Sequence, residues 1–519
     1  SKPIHGLGCE AVATALASGQ LTSTAVVQAL HARTAAVDAD LRGYLWPSPG
    51  PAAAAAAQAD RRRAEGRAHG ALDGVPVSVK DNFDLEGAPT TLGIAARQKH
   101  RAEHDADLVA QLRAAGMVLL GKSNVPQSLM AMETDNAIVG RAANPWNPQR
   151  SAGGSSGGEA VLLASGQSPL GLGSDIGGSV RIPAAYCGLS ALKPTVGRLS
   201  SAGMHSALGG QDFVRATPGF LARSSGDLGW FWLQLAALPA VATARGPLLP
   251  PAFWASHEPP LSTLRVGFYD SDGDLAPSGA VRRALSRARA ALEDAGVTLV
   301  SYVPSDAETH YPLYVAGLTA DGLRTPLGRI GGEALIAPIR TNVRLARLPK
   351  AVRLALSQLL DVQGEARLAR ALRRLGEKSV TEYWALCAER QALAQAEHRR
   401  WQDLKLDALL CPATATPAPR HGESHDFTAA VAYTARYNLI DRPAGVVPAA
   451  RVTDNDTPRD MPQDRIERRA QSIETDATGL PVGVQVVGQP WQEVLVLRLM
   501  AHIEQACRAH DDFPRTPVS

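Results

Sequence analysis

The sequence predicts an α/β fold, because segments of strand type alternate with segments of helical type along the chain. One unit joins a predicted helix at 108–115 to a buried strand at 118–122. A second unit places a predicted helix at 280–295 between strands at 264–269 and 298–303. Such alternation is typical of parallel strands that are joined by crossover helices.

The composition is that of an ordinary soluble protein with a large core. Of the 519 residues, 45% are hydrophobic and 20% are charged, and the net charge of +3 is too small to indicate a nucleic-acid partner. No apolar run reaches the length of a membrane span. The five cysteines lack metal-ligand spacing, which favours reduced thiols in a cytoplasmic compartment. A leader removed before Ser1 would instead allow a secreted or periplasmic protein.

The remaining elements follow from apolar periodicity and from turn residues. Helical spacing covers 8–40, with a break at Ser18-Gly19 and helix-capping candidates at 22–24, and an alanine-rich helix is predicted at 52–67. Further segments are a strand at 75–79, apolar segments at 182–194, 433–440 and 480–487, a helix at 384–404, a strand at 408–412 and a closing helix at 495–510. The charge-dense stretch 453–478 is predicted to be an exposed, mobile loop.

Residues 336–376 form a basic amphipathic stretch. Only Asp361 and Glu365 oppose its cations, which are Arg340, Arg344, Arg347, Lys350, Arg353, Arg367, Arg370, Arg373 and Arg374. Aliphatic residues are interspersed among these cations. The pattern fits a helical pair that lies on a membrane or a detergent-like surface. A solvated helix face beside the core is the alternative.

Two glycine-rich turns, at 153–158 and 173–179, are the most informative part of the chain. Glycine at this density marks places where the backbone bends sharply or approaches a ligand closely. Both turns carry serine hydroxyls among backbone N–H groups, as a nucleophile beside an oxyanion pocket requires. Neither turn has the lysine of a phosphate-binding loop, and Ile176 replaces the third glycine of a dinucleotide fingerprint. The residues that flank Ser179 do not match the nucleophile elbow of α/β-hydrolases, since Arg181 stands where its last glycine belongs.

Lys80 directly follows the predicted strand at 75–79 and so stands at its end. A lysine at a strand end is commonly solvated, which is one interpretation. The other is a lysine held among apolar walls, where burial lowers its pKa and lets it accept a proton. The serine turns favour the second interpretation. By contrast, His421, Glu423 and His425 are close in sequence but lack further ligands, so no metal site is expected there.

Together, three motifs resemble those of the amidase-signature family of serine hydrolases. They are GVPVSVKD at 74–81, GGSSGG at 153–158 and DIGGSVR at 175–181. The resemblance implies a single large α/β domain over 1–519, with a mixed, many-stranded sheet flanked by helices on both faces. It places the catalytic core motifs within 70–235 and requires no cofactor and no metal.

The resemblance also implies roles for individual residues. The serine that attacks the carbonyl matches Ser179, its relay serine matches Ser155, on a cis peptide bond to Gly154, and the final base matches Lys80. The oxyanion donors match the backbone N–H groups of Ile176, Gly177, Gly178 and Ser179. Ser156 is expected to hydrogen-bond the lysine, and Asp175 and Arg181 are expected to brace the loop.

Within this family the motifs are most similar to those of the fatty acid amide hydrolases. The matching segments include NPW at 144–146, YNLIDRPAGVVP at 437–448 and PWQE at 490–493. This likeness implies hydrolysis of N-acyl amides through an acyl-enzyme, with Leu129, Met130 and Trp491 along the acyl channel. It also suggests a homodimer, and it makes 336–376 a candidate membrane-docking or substrate-access cap.

Three other functions remain open at this point. Within the family, the chain could be a peptide or aryl amidase that acts on smaller amides. It could be a transamidating subunit that needs a partner chain for activity. Outside enzymology, the basic stretch alone would fit a membrane-surface binding module without turnover.

Overall fold

An eleven-stranded mixed sheet runs through the molecule. The structure, a computed structural model, describes residues 3–238, 258–304, 306–427 and 431–518. The strands are β1 (Tyr44–Pro47), β2 (Pro76–Lys80), β3 (Val118–Ser123), β4 (Ala143–Asn144), β5 (Asn147–Ser151), β6 (Leu170–Asp175), β7 (Ser190–Lys193), β8 (Thr217–Ala222), β9 (Arg265–Phe268), β10 (Thr298–Ser301), β11 (Ala408–Pro412), β12 (Ala444–Arg451) and β13 (Pro481–Gly488). The order across the large sheet is β1-β3-β2-β6-β8-β7-β12-β13-β11-β9-β10, and β4 pairs with β5 separately.

The helices of the described residues alternate with these strands. They are α1 (Cys9–Ala17), α2 (Ser23–Leu41), α3 (Pro49–Ala64), α4 (Asp107–Ala114), α5 (Gly157–Ala164), α6 (Arg181–Cys187), α7 (Ser225–Ala237), α8 (Gly279–Asp294), α9 (His310–Leu318), α10 (Arg324–Ile330), α11 (Ala337–Ala346), α12 (Lys350–Val362), α13 (Ala366–Arg374), α14 (Val380–Leu404), α15 (Ala432–Leu439), α16 (Arg465–Glu474) and α17 (Glu493–Cys507). The α/β prediction is confirmed.

Parallel pairing occurs in two blocks of the sheet. In the first block β3, β2 and β6 are parallel, and in the second block β11, β9 and β10 are parallel. The strands between the two blocks pair in antiparallel fashion. Both strand–helix units predicted from the sequence lie in these blocks, as β2-α4-β3 and β9-α8-β10, because a parallel connection needs a crossover helix.

The centre of the sheet is covered on both faces. All eight residues of β13 are buried, and so are all residues of β12 except Arg451. Since side chains alternate between the faces of a strand, complete burial requires packing on both sides. Helices α6, α8 and α17 contact these two strands. The flanked, mixed sheet expected from the motifs is therefore confirmed.

The N-terminal helices match their predicted spans closely. Thr22 caps α2, because its hydroxyl accepts a hydrogen bond from the N–H of Ala25 at 3.1 Å. Helix α3 begins at Pro49, before its predicted start, since proline is well suited to the first turn of a helix.

The stretch 453–478, predicted to be an exposed loop, contains helix α16. Asp464 caps this helix by accepting a hydrogen bond from the N–H of Glu467 at 2.8 Å. Ile466, Ala470 and Ile473 are buried on one helical face. The prediction was wrong here, because these three apolar residues at helical spacing anchor a segment that is otherwise highly charged.

Residues 336–376 form three helices, α11, α12 and α13, rather than the predicted pair. Pro349 stands before α12, and Gly364 lies in the left-handed region between α12 and α13. Among the described residues, no helix combines the length and the apolar character needed to span a bilayer.

Candidate active site

Three parallel strands end at one edge of the sheet and bring the candidate residues together. The carboxyl ends of β3, β2 and β6 lie side by side, and ligand sites commonly form at this edge of parallel strands. A cavity lies there, lined by Asn82, Ser128, Leu129, Met130, Ser155, Ser174, Ile176, Ser179, His205, Ser206, Ala207, Leu208 and Ala216. The topology thus joins residues that are far apart in the sequence.

Lys80 ends β2 with its side chain fully buried. Its Nζ atom lies 2.8 Å from Ser155 Oγ, 3.0 Å from Ser174 Oγ and 3.2 Å from the carbonyl oxygen of Ser174. Burial lowers the pKa of Lys80 from 10.5 to about 7, although the carboxyl groups of Asp175 and Glu159 oppose this shift. A substantial share of the amine is therefore neutral near pH 7 and able to accept a proton.

Ser155 and Ser179 line the same cavity. The Gly154–Ser155 peptide bond is cis. The N–H of Ser156 donates to the carbonyl oxygen of Ser179 at 3.0 Å, which ties the two glycine-rich turns together. Ser155 therefore contacts Lys80 and shares the cavity with Ser179.

Ser156 has a different side-chain partner from the one expected. Its hydroxyl donates to the carbonyl oxygen of Ser174 at 3.4 Å. The polar contacts of the Lys80 amine are instead with Ser155 and Ser174. Ser156 and Lys80 therefore meet at the same carbonyl group rather than at each other.

Asp175 organises the turn that follows β6. Its carboxylate accepts hydrogen bonds from the N–H groups of Gly178 at 2.8 Å and Val180 at 3.2 Å. It also forms a fully buried ion pair with Arg181, at 3.0 Å. Although burial opposes it, the Arg181 guanidinium holds the pKa of Asp175 well below its usual value. The two residues contact each other and the loop between them.

The same turn leaves backbone donors available. Within the described residues, the N–H groups of Gly177 and Ser179 have no protein acceptor, whereas Gly178 N–H is engaged by Asp175. Ile176 and Ser179 line the cavity. Free N–H groups beside a hydroxyl can stabilise negative charge that develops on a carbonyl oxygen.

Leu129 and Met130 form part of the apolar wall of the cavity, together with Ile176 and Leu208. The likeness to the fatty acid amide hydrolases had placed Leu129 and Met130 along an acyl channel. Their outer sides pack against the helices that follow α9: Leu129 joins a cluster with Ile330, and Met130 joins one with residues of α11 and α13. The wall of the cavity is thus continuous with that helical region.

Trp491, the third residue expected in the channel, does not line this cavity. The centroid of its ring lies 5.3 Å from the guanidinium carbon of Arg198, and its backbone N–H donates to Thr195 Oγ1 at 2.9 Å. Arg198 is itself fixed by the buried carboxylate of Glu493. In this structure Trp491 therefore contacts Arg198 and Thr195 rather than the wall of this cavity, contrary to the expectation.

Three residues beside the serines were missed by sequence reasoning. Ser174 accepts a hydrogen bond from the Lys80 amine. Asn82 Nδ2 donates to Ser174 Oγ at 3.1 Å and to the carbonyl oxygen of His205 at 2.8 Å. The proximity of Asn82 to Lys80 in the chain was a usable signal. No sequence signal pointed to His205, because only the fold brings its loop to this edge. Its Nε2 lies 2.9 Å from both oxygens of Asp84.

His421, one of the residues considered for a metal site, has other partners. His421 Nδ1 lies 2.7 Å from Glu133 Oε1, and His421 Nε2 lies 2.9 Å from the carbonyl oxygen of Pro148. In the described part of the chain, no cluster of three or more histidine, cysteine, aspartate or glutamate residues has the arrangement of a metal site.

The part of the chain that contains these motifs matches a known protein family. The Amidase family model matches residues 25–497. Fatty-acid amide hydrolase 1 of Sus scrofa is 37% identical over 448 residues, which are 84% of this chain and 76% of that protein. One subunit of the glutamyl-tRNA(Gln) amidotransferase of Chloroflexus aurantiacus is 30% identical over 99% of both chains.

A solved structure of fatty acid amide hydrolase shares the fold. It superposes with a TM-score of 0.79 at 24% identity, over 97% of this chain and 85% of the other. The family match covers most of the chain, and the buried lysine, the paired serines and the glycine turns lie within it. The chain therefore belongs to the amidase-signature family of hydrolases.

Proposed function

We propose that the chain hydrolyses carboxamides through an acyl-enzyme, with Ser179 as nucleophile, Ser155 as proton relay and Lys80 as base. The observation that carries this proposal is the 2.8 Å contact between Lys80 Nζ and Ser155 Oγ, made beside Ser179 in one cavity. A serine hydroxyl is a weak nucleophile until a base removes its proton.

In this proposal the neutral Lys80 amine accepts the proton of Ser155, while Ser155 takes the proton of Ser179. The Ser179 oxygen then attacks the substrate carbonyl, and the backbone N–H groups of Ile176, Gly177 and Ser179 hold the oxyanion. Gly178 N–H supports the loop through Asp175 instead. The proton returns through Ser155 to the leaving nitrogen, and water hydrolyses the acyl-enzyme.

For the substrate, we propose an N-acyl amide with a long apolar acyl chain, a fatty acid amide. The apolar wall formed by Leu129, Met130, Ile176 and Leu208 supports this choice, because an alkyl chain gains free energy by leaving water. The likeness to fatty-acid amide hydrolase 1 supports it as well.

We further propose that helices α11 and α12 form a cap that contacts membrane surfaces while it admits substrate to the core at 70–235. On α12, Val352, Leu356 and Leu359 are exposed at helical spacing, and Val362 is 87% exposed. Val380 and Trp384 at the start of α14 add exposed apolar surface. Apolar side chains beside exposed cations are typical of a helix that lies in a membrane interface.

We propose a cytoplasmic protein that makes peripheral contact with a membrane through this cap. The family likeness suggests a homodimer as its state in solution. Liposome binding and light scattering on charge-reversal variants of α11 test both statements.

The proposed function is tested by measuring kcat/KM for amides of one amine with acyl chains of increasing length. Wild type and Ser179→Ala are compared, with circular dichroism as the control for folding. We expect kcat/KM to rise steeply with chain length in wild type, because each added methylene buries more apolar surface. We expect no turnover above background in Ser179→Ala.

Other outcomes point to the rival functions. A flat or falling series that still depends on Ser179 would indicate a peptide or aryl amidase. No turnover by the isolated wild-type chain would favour a subunit that needs a partner. Normal activity in Ser179→Ala would refute the proposed nucleophile.

A further inference from the structure

The peptide unit between Ile176 and Gly177 is held from a distant helix. Tyr314 lies on α9, and its hydroxyl donates to the carbonyl oxygen of Ile176 at 3.3 Å. The contact extends to the glycine: a Cβ atom at Gly177 would lie 2.1 Å from the Tyr314 hydroxyl oxygen. Gly177 therefore accommodates the tyrosine as well as the turn.

The next peptide unit is fixed at both of its ends. Thr434 Oγ1 donates to the carbonyl oxygen of Gly177 at 2.7 Å, and Gly178 N–H donates to Asp175 at 2.8 Å. The Ile176–Gly177 unit differs, because only its carbonyl group has a protein partner among the described residues. In a trans peptide the C=O and N–H bonds point in opposite directions. A bond from Tyr314 to the oxygen therefore directs Gly177 N–H to the other side of the loop.

The surroundings of Tyr314 suit it to this role. Its side chain is buried, and burial raises its pKa far above 10, so the phenol stays protonated and remains a donor. Leu313 and Ala316 pack beside it in one apolar cluster with Phe213. The ring of Tyr311 stacks on it with centroids 6.4 Å apart. The ring is thus held in place on several sides.

We propose that Tyr314 is a positioning residue that aims the Gly177 N–H at the developing oxyanion by holding the carbonyl group of Ile176. The inference deepens the proposed hydrolase function and rests on it. Tyr314 itself does not line the cavity, so it acts through the peptide unit and not on the substrate. Its contribution belongs to the transition state, since only there does the substrate oxygen carry the charge.

The test compares Tyr314→Phe with wild type, and uses Tyr311→Phe as the matched control. Tyr311→Phe makes the same chemical change one turn away on α9, without removing the bond to Ile176. For Tyr314→Phe we expect kcat to fall about fivefold with little change in KM, the factor that corresponds to one hydrogen bond of about 1 kcal/mol. Tyr311→Phe should keep the wild-type kcat.

Two binding measurements separate positioning from packing. A trifluoromethyl ketone with the acyl chain of the substrate forms a charged tetrahedral adduct with a serine, and its affinity should weaken by the same factor in Tyr314→Phe. The affinity for uncleaved substrate, measured in the Ser179→Ala background, should not change. Equal losses in both, or a loss in Tyr311→Phe as large as in Tyr314→Phe, would mean a packing role and overturn the inference.

A third measurement does not depend on turnover. We expect the backbone amides of 176–179 to exchange hydrogen faster in Tyr314→Phe than in wild type, measured by mass spectrometry. If the wild-type chain cleaves no amide, the proposed function fails, while this exchange still reports whether Tyr314 holds the loop. Unchanged exchange or an unchanged kcat would overturn the inference by itself.

Discussion

At the scale of single residues, the partner of a buried lysine determines what that lysine can do. Lys122 is the residue before the last of β3 and is as buried as Lys80, but its Nζ lies 2.9 Å from the carboxylate of Asp81. Lys80 instead contacts two hydroxyl groups and a carbonyl oxygen. Because Asp81 is engaged by Lys122, it does not serve as a direct partner for Lys80. A lysine without such a partner loses its proton more readily when buried.

The lowered pKa of Lys80 leads to a prediction about pH. We expect kcat/KM to rise with pH through an apparent pKa of about 7, because the base must be neutral to accept a proton. Lys80→Ala should lower kcat/KM by several orders of magnitude and abolish this rise with pH, the acid limb of the profile. The loss should be smaller at high pH, where hydroxide can replace the amine. The measurement is a pH profile of kcat/KM for both proteins.

Glu159 provides the internal check on this profile. It is buried, its Oε2 lies 2.5 Å from Ser78 Oγ, and burial raises its pKa to about 7. Its carboxylate charge raises the pKa of Lys80, so Glu159→Gln should move the acid limb to lower pH. A profile in Lys80→Ala that keeps the wild-type limb would show that another group titrates.

At the scale of elements, helices α11 and α12 of the proposed cap differ in which of their cations face solvent. Arg340, Arg344 and Arg347 are exposed on or beside α11. Arg353 on α12 is buried, and its guanidinium donates to the carbonyl oxygens of Ala346 and Leu348 at 3.2 and 2.5 Å. Sequence alone did not distinguish the four arginines. Arg353 joins α11 to α12 and is therefore unsuitable as a surface probe.

The exposed arginines lead to a prediction about membrane contact. Charge reversal of Arg340, Arg344 and Arg347 to glutamate should weaken binding to anionic liposomes by about two orders of magnitude or more, since each of the three cations near such a surface contributes about 1 kcal/mol. Turnover of a short, soluble amide should stay at the wild-type value. Co-sedimentation with vesicles that contain phosphatidylserine measures the first property.

The control for this experiment reverses three exposed arginines elsewhere, Arg61, Arg282 and Arg289. It changes the net charge equally but leaves α11 intact. Light scattering on the same proteins reports the oligomeric state. Equal liposome binding by the cap variant and wild type would refute the cap. Dimers that dissociate only in the cap variant would assign the surface to a second copy of the chain.

At the scale of the whole molecule, Arg181 joins distant parts of the chain behind Ser179, the proposed nucleophile. Its guanidinium contacts Asp175, and it donates to Gln485 Oε1 on β13 at 2.7 Å and to Asn438 Oδ1 on α15 at 2.5 Å. All of these side chains are buried. The glycine turn at 173–179 is therefore supported by strands and helices from the last hundred residues of the chain.

Breaking this ion pair should be costly for the whole fold. We expect Asp175→Asn to lower the free energy of unfolding by about 3–5 kcal/mol, because it leaves Arg181 buried without a counter-charge. Denaturant unfolding measures this loss. Glu293→Gln is the matched control: it removes the partner of Arg289 in an exposed pair, and it should change stability by less than about 1 kcal/mol. Similar effects of the two substitutions would contradict the expected role of burial.

The sequence by itself determined the α/β class and the family, and it predicted that Lys80, Ser155 and Ser179 meet at one site. Local information sufficed for these, since strand and helix periodicities and the glycine turns with Ser155 and Ser179 are each contained in short segments. The same local patterns identified Lys80, because it ends a short apolar strand within the first of the three motifs.

Only the tertiary structure decided the remaining contacts. In the structure Trp491 contacts Arg198 and does not line the cavity, and Gly178 N–H donates to Asp175. The fold also brought His205 to the cavity that holds the serines, and it brought Tyr314 on α9 to the carbonyl group of Ile176. The physical reason is that burial, pairing of charges and the direction of a peptide bond depend on neighbours from strands that are distant in sequence. No local pattern carries that information.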